Sequence, residues 1–247
     1  MIDISIVVTA YNYALYIDEC LDSCLKQTCN ELEYEVIVVN DGSTDDTHSL
    51  LRRRSDPRLR IIHIENSGIE IASNVGFKAA IGRYIVRVDA DDVLEANYLA
   101  RMARWVDQGH DFIYSDYSII DKDGHSKGIV RLPAFDQSEI ISRGDFLATG
   151  TLYAAKLLRD YGYYATHTKN SGLENHELIV KLIAGGARGC HVGECLFRYR
   201  RHSANISTNR IESIVSTGKK LYKSHGLGEY RTNQYHPYKL VLQKETS

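Results

Sequence analysis

Over residues 4–88 the chain alternates short β-branched runs with amphipathic segments, and this alternation restricts the fold more than any other feature. "ISIVVTAY", "YEVIVVND", "RLRIIHIE" and "YIVRV" read as strands, separated by the helical patterns "YIDECLDSCLKQT", "TDDTHSLLRRR" and "IEIASNVGFKAAI". Strands and helices taking turns imply βαβ units, hence an α/β fold with a Rossmann-like, mostly parallel central sheet and helices on both faces. Ligands of such sheets sit beyond the carboxyl ends of the strands. The segments at those ends are polar: "TAYN" after the first strand, "NDGSTDD" after the second and "DADD" after the fourth. Three polar tips on one edge predict one site.

Size and charge narrow the function. A chain of 247 residues with net charge −2 is long enough to bury a substantial core, and its near-neutral balance argues against a nucleic-acid partner. No apolar run approaches the roughly 18 residues of a membrane span, and "MIDISIVV" lacks the basic start of a signal peptide, so the expected location is cytoplasmic. The five cysteines form no zinc signature. Cys20 and Cys24 share the apolar face of the first helix with Ile17, Leu21 and Leu25, which predicts reduced core residues.

The "DADD" tip carries the most chemistry. In an extended segment Asp89 and Asp91 point the same way, and two such carboxylates repel unless one is protonated or a cation neutralises both. A hard divalent ion, Mg²⁺ or Mn²⁺, is the simplest neutraliser and keeps positions open for phosphate oxygens. The plainer use of Asp91 or Asp92 is to cap the next helix, where Leu99, Met102, Ala103 and Val106 form an apolar stripe. Capping accounts for one carboxylate and leaves Asp89 without a task. In "NDGSTDDT" the glycine and hydroxyls are turn chemistry, with Ser43 or Thr44 available to cap a helix. Asp41 differs, because a carboxylate there can accept the imide N–H of a uracil ring.

These segments, with "NSGIEIASNVGFKAAIGRYIVRVDADD" and "YRRHSANIS", resemble a family 2 glycosyltransferase of the GT-A type over about residues 3–207. The resemblance implies a GT-A fold, a nucleotide-diphosphate-sugar donor, a divalent metal (Mn²⁺ or Mg²⁺) and inverting transfer to a glycan or lipid-linked acceptor. It implies that Thr9, Tyr11 and Asp41 hold the nucleoside, UDP by preference, that Asp89 contacts ribose or metal, and that Asp91 binds the metal. His202 is the matching candidate for a further metal ligand, and Arg198, Arg200 and Arg201 are cations within reach of the diphosphate. It also implies one domain over residues 1–207, divided into a donor half (1–92) and an acceptor half (93–207), with a helical extension over 208–247. Related enzymes build surface polysaccharides or lipid-linked glycans, which places the expected activity in bacterial envelope synthesis, at the inner face of the plasma membrane. In the extension, Ile211, Ile214, Val215 and Tyr222 make one apolar face, and Lys219, Lys220 and Lys223 offer a surface for packing or for peripheral contact with an anionic membrane.

Two departures matter. Ser73 stands where many relatives carry arginine. In "SGLENHELIVKLIAGG" relatives show Glu-Asp where this chain has Glu174 and Asn175, and the aspartate is their base. Asn175 cannot take a proton at neutral pH. Glu174 is then the nearest carboxylate for the role, although Ser171-Gly-Leu-Glu174 also spells a capping box and Glu177 with Lys181 an i,i+4 pair.

Three other readings are available. "DADDV" fits the Asp-x-Asp-x-Val signature of haloacid-dehalogenase-type phosphatases, with Asp116 and Asp121 downstream, but residues 93–115 contain no lysine and leave little room beyond one helix. A nucleotidyltransferase would need a glycine-rich basic loop after the first strand, which "VVTAYNYALYI" lacks. The third is a donor-binding pseudo-transferase that has lost its base at Asn175. The sugar, the acceptor and the oligomeric state are not written in any motif.

Overall fold

A computed structural model describes residues 2–29, 32–106, 108–143, 149–203, 205 and 210–232. Part of the acceptor-half segment (144–148), the end of "YRRHSANIS" and the extension beyond residue 232 lie outside the described residues.

The four expected strands form, and with them the expected parallel half-sheet. Strands β1 (Ile4–Ala10), β2 (Tyr34–Asp41), β3 (Leu59–Ile64) and β4 (Tyr84–Asp89) stand in the order β3-β2-β1-β4, all parallel. Their connections are α1 (Ile17–Leu25), α2 (Thr47–Arg52) and α3 (Ile69–Ala79). Both faces of this half-sheet are covered. Val36 and Val38 join Ile17, Cys20, Leu21, Cys24 and Leu51 in the main core, while Ile37 and Val39, pointing the other way, pack with Ala72 of α3. Gly76 lets α3 approach the sheet, since a Cβ there would sit 2.2 Å from Val7 Cγ1. All five cysteines are free, with Cys20 and Cys24 fully buried as expected.

Beyond β4 the sheet is mixed. β8 (Leu152–Ala154) runs antiparallel to β4 and to β6 (Phe112–Ile120), β6 is parallel to the long β9 (Gly189–Arg200), and β9 pairs antiparallel with the short β5 (Val93–Leu94). β7 (Ser126–Val130) closes a hairpin on β6. The helices of this half are α4 (Tyr98–Met102, followed by a 3₁₀ turn over Ala103–Trp105), α5 (Gln137–Arg143), α6 (Ala155–Tyr161) and α7 (Glu174–Ala184). The helix expected in the extension is α8 (Ile211–Ser224). Of the expected apolar face, Ile214 and Tyr222 are buried with Leu221, Leu173 and Tyr230, Val215 is partly buried and Ile211 is exposed, as are Lys219, Lys220 and Lys223. Among the described residues no helix is long and apolar enough to cross a membrane.

Candidate functional site

Parallel register brings the polar tips together. Thr9 lies beside Val39 of β2 and beside Asp89 of β4, and Ala10 lies beside Asn40, so the three strands end level. The first two tips then interlock. Asn12 Oδ1 accepts from Thr44 N at 2.8 Å, Asn12 N donates to Ser43 Oγ at 3.0 Å, and Ala14 N donates to Asp45 Oδ2 at 3.0 Å. These bonds hold Asn12 at φ 61°, a left-handed conformation that asparagine tolerates better than most residues. Ser43 and Thr44 therefore serve Asn12 rather than capping α2, which begins only at Thr47 behind Asp46. Gly42 is the turn residue expected, at φ 70° with no room for a Cβ, which would lie 2.7 Å from Asn66 N.

The expected nucleoside residues differ in how free they are. Thr9 is buried, and its Oγ1 has no hydrogen-bond partner among the described residues. Tyr11 is 44% exposed. Asp41 is buried, with Oδ1 accepting from Ser67 N at 2.7 Å and Oδ2 from Gly68 N at 2.9 Å. Its carboxylate fixes the turn entering α3 and keeps lone pairs for a further donor, since a carboxylate offers about four acceptor sites.

At the third tip β4 ends at Asp89, and Asp92 N turns back to donate to Asp89 O at 2.9 Å. Residues 90–91 are thus a turn rather than an extension of the strand. Asp89 nevertheless raises the proton affinity of Asp91, after the larger effect of burial, while His202 lowers it. Neither Asp91 nor Asp92 caps a helix, which corrects the plainer expectation: α4 starts at Tyr98 behind Asn97. Asp92 is fully buried, and its Oδ1 accepts from Arg200 N at 2.8 Å. Burial, with Asp91 and Asp89 adding, pushes its proton affinity far above the usual carboxylate range.

His202 reaches this tip from the chain after β9. Its Nε2 lies 2.9 Å from Asp91 Oδ2, which also accepts from Asn205 Nδ2 at 3.2 Å. Tyr16 lies tilted over the imidazole at 5.2 Å between centroids, and Tyr13 meets it edge-on at 6.4 Å. Of the arginines expected within reach of the diphosphate, Arg200 is 1% exposed and engaged by protein groups. Arg200 donates to Asp91 O at 2.7 Å and Glu19 Oε2 at 2.6 Å, and its guanidinium sits 4.8 Å over the Tyr16 ring. Arg198 instead pairs with Glu95 at 2.9 Å. Carboxylate oxygens suit Mg²⁺ or Mn²⁺. Asp89 Oδ1, buried and without a partner among the described residues, is an oxygen such an ion would use. Among the described residues, the trio whose ligand atoms already lie within 4.8 Å of one another is a different one, Asp121, Asp123 and His125 in the β6–β7 turn, where Lys127 occupies Asp121 Oδ2 at 2.8 Å.

The acceptor-side candidates lie in the first turn of α7. Glu174 is 6% exposed and accepts from Arg87 Nη1 at 3.0 Å, while Arg87 Nη2 donates to Asp89 Oδ2 at 3.0 Å. Its Oε2 is buried with no partner among the described residues. Burial raises the proton affinity of Glu174, Glu70 adds to the rise, and Arg87 offsets part of it. The capping box does not form, because the N-cap is Leu173 and Ser171 Oγ merely accepts from Leu173 N at 3.3 Å. Nor does Glu177 pair with Lys181, whose Nζ donates to the carbonyls of Gly162 and Tyr163. Asn175 is buried, its Oδ1 accepting from Tyr164 OH. Ser73 is fully buried, with no partner for Oγ among the described residues.

Sequence reasoning gave no role to Arg87, Thr149, Tyr164 or Glu70. A charged residue between Val86 and Val88 in a buried strand was the available signal for Arg87, since such charges persist only when paired.

The sequence pattern described as "Glycosyl transferase family 2" matches residues 5–163. The uncharacterized glycosyltransferase EpsJ of Bacillus subtilis is 39% identical over 107 residues, 42% of this chain and 30% of the relative. The chondroitin synthase of Pasteurella multocida is 46% identical over 94 residues, 37% of this chain and 10% of that protein. The match thus spans a third or less of these relatives. Among solved structures, Staphylococcus aureus TarS 1-349 with UDP-GlcNAc superimposes with a TM-score of 0.75 at 21% identity, over 92% of this chain and 67% of that one. The mannosyltransferase PcManGT of Pyrobaculum calidifontis, with GDP-Man and Mn²⁺, gives 0.69 at 21% identity, over 96% and 66%. The interlocked tips, the mixed sheet behind them and these likenesses carry one conclusion: the chain belongs to glycosyl transferase family 2 and has the GT-A fold.

Proposed function

We propose that this transferase moves a sugar, with inversion, from a nucleotide-diphosphate donor to a hydroxyl of a glycan or lipid-linked acceptor, in the synthesis of a bacterial surface polysaccharide. The observation that carries the reading is the meeting of Asp91 with His202 beside Asp89, on the edge where the strands bearing Thr9 and Asp41 also end. Thr9, Tyr11 and Asp41 hold the nucleoside, and UDP is the preferred one because Asp41 accepts the uracil imide N–H. Asp91, with Asp89 and His202, holds Mn²⁺ or Mg²⁺. A divalent ion bound there neutralises the charge that develops on the departing diphosphate. UDP-GlcNAc bound to one structural neighbour and GDP-Man with Mn²⁺ bound to another support the donor class and the ion.

Glu174 takes the proton of the acceptor hydroxyl. Its unpartnered Oε2 has an acceptor to spare, and a carboxylate whose proton affinity is raised by burial is better matched to work near neutral pH than an ordinary one. A second reading is favoured by Asn175, which occupies the relatives' base position as a neutral amide held by Tyr164: the chain binds donor without transferring it. We place the reaction in residues 1–207, as a donor half and an acceptor half, at the inner face of the plasma membrane.

The test is a thermal-shift and transfer series on the purified chain with UDP-, GDP- and CDP-sugars. UDP-sugars should raise the melting temperature most, and only with Mn²⁺ present, because ligands of the native state stabilise it. Absence of stabilisation by every nucleotide-sugar would overturn the function. Stabilisation without transfer, rescued by Asn175→Asp and indifferent to Glu174→Gln, would establish the second reading.

A further inference from the structure

We propose that Arg87 is a positioning residue for the transfer, a buried fork that fixes the donor-side carboxylate of Asp89 against the acceptor-side carboxylate of Glu174. The proposal rests on the function proposed above. Arg87 and Asp89 are two residues apart on β4 and so share a face of the strand. The guanidinium leaves that face 3% exposed and splits, Nη1 to Glu174 Oε1 and Nη2 to Asp89 Oδ2, both at 3.0 Å. Its surroundings are equally fixed. Gly150 N donates to Arg87 O at 2.9 Å, and Thr149 Oγ1 donates to Asp89 Oδ2 at 2.9 Å. The ring of Tyr164 lies 5.5 Å from the guanidinium carbon, and its hydroxyl donates to Asn175. Tyr164 is in turn gripped by Asn74 of α3, which donates to its carbonyl at 2.8 Å and accepts from its N–H at 3.0 Å.

The pattern of unpartnered atoms gives the fork its purpose. Arg87 engages one oxygen of each carboxylate, and the other oxygen of each, Asp89 Oδ1 and Glu174 Oε2, is buried without a partner among the described residues. A buried acceptor left without a protein partner is a place where a water, an ion or a reactant can bind. The one guanidinium supplies the positive charge between the two carboxylates, of which Glu174 is buried and Asp89 partly buried. Lysine carries the same charge but no planar fork, so it can hold only one carboxylate at this geometry.

Arg87→Lys in the full chain separates positioning from mere stability. In a transfer assay kcat should fall by about 100-fold, the cost of an ångström-scale misplacement, while the donor KM stays near the parent value. Parental kcat in a folded Arg87→Lys protein would overturn the proposal, as would a loss carried by the donor KM alone. A second measurement uses neither donor nor acceptor: urea unfolding of Asp89→Asn, Glu174→Gln and the double variant. The two substitutions should be non-additive with Arg87 in place and additive in the Arg87→Lys background. Additivity with Arg87 present overturns the bridge, whatever the transfer assay gives and even if Arg87→Lys does not fold. A parent that transfers no sugar to any acceptor offered sinks the proposed function, and the unfolding cycle then decides the bridge alone.

Discussion

The strand edge that bears Asp41 and Asp89 and the first turn of α7 hold their carboxylates in opposite ways. At the edge, the backbone does the placing: parallel register ends β1, β2 and β4 level, and Asp41 and Asp89 arrive as the last residues of two of those strands. At α7, side chains do the placing. Glu174 is held by Arg87 from 87 residues earlier in the chain, and the loop ahead of it by Glu70, which accepts from Asn170 N at 2.9 Å and Ser171 N at 2.6 Å. A site built by register tolerates loss of one side chain because the strands remain. A site built by buried ionic contacts depends on each partner, since removing one leaves the other charged and dry.

A side-chain contact also supports the edge, at Arg200, and breaking it should have the largest effect. Its side chain ties the Asp91 carbonyl and Glu19 to the end of β9, from which His202 extends. Arg200→Met should cost about 2 kcal/mol in urea unfolding, the charge-assisted bond to the Asp91 carbonyl being lost while Glu19, half exposed, stays hydrated, with packing partly retained by the methionine stem. It should also weaken Mn²⁺-dependent UDP binding, because His202 loses its anchored approach to Asp91. Unchanged stability would mean that β9 holds its end by strand pairing alone.

A smaller effect is expected from the edge itself. Asp41→Asn keeps the shape but sets an amide N–H₂ against one of the two backbone N–H groups the carboxylate now accepts from. The cost should be about 1.5 kcal/mol, that of charge-assisted bonds weakened and one donor left unpaired. Binding of UDP should fall towards that of CDP and GDP. A variant that keeps both the stability and the preference for UDP would show that the 66–68 turn and the nucleoside are held by other groups.

The same division decides what could be read in the sequence. β1 to β4, α1 and α3 were legible because the strands are β-branched runs, buried on both faces in β1 and β2, and the helices carry an apolar period of 3.6, and the edge followed from the rule that tips of parallel strands converge. Helix α2 was read too long and α4 too early, since Thr44 and Asp91 looked like caps but found long-range partners first. The mixed half, β5 to β9, was illegible. Its strands pair across large sequence separations and are interrupted by bulges, as where Ser115 lies beside Val192 and the next residue, Asp116, beside Cys195. The capping box at Ser171 and the Glu177–Lys181 pair were local patterns that tertiary partners overrode. No local pattern could announce that Arg87 faces Glu174.

The smallest expected effect is a slope rather than a step, and it sharpens the contrast from the α7 side. Burial, helped by Glu70, holds the proton affinity of Glu174 above that of an exposed glutamate despite Arg87. Between the unfolded value, about 4.3, and the raised folded value, the native state therefore binds a proton that the unfolded chain has released. Stability then falls as pH rises through that window, because the native state binds more protons there than the unfolded state does. Below the window both states are protonated, and above it both are ionised, so the contribution of this group is flat on either side. Glu174→Gln removes the group. Plotted against pH, the stability of Glu174→Gln minus that of the parent should rise through the window and level off above it, whatever constant offset the lost contact with Arg87 imposes. Urea midpoints measured in steps from about pH 4 upward give the difference directly. Parallel curves would mean that Arg87 fully compensates the burial of Glu174. A parent that gains on the variant as pH rises would mean that the ion pair outweighs burial, and that Glu174 is anchored too strongly as an anion to accept a proton from the acceptor.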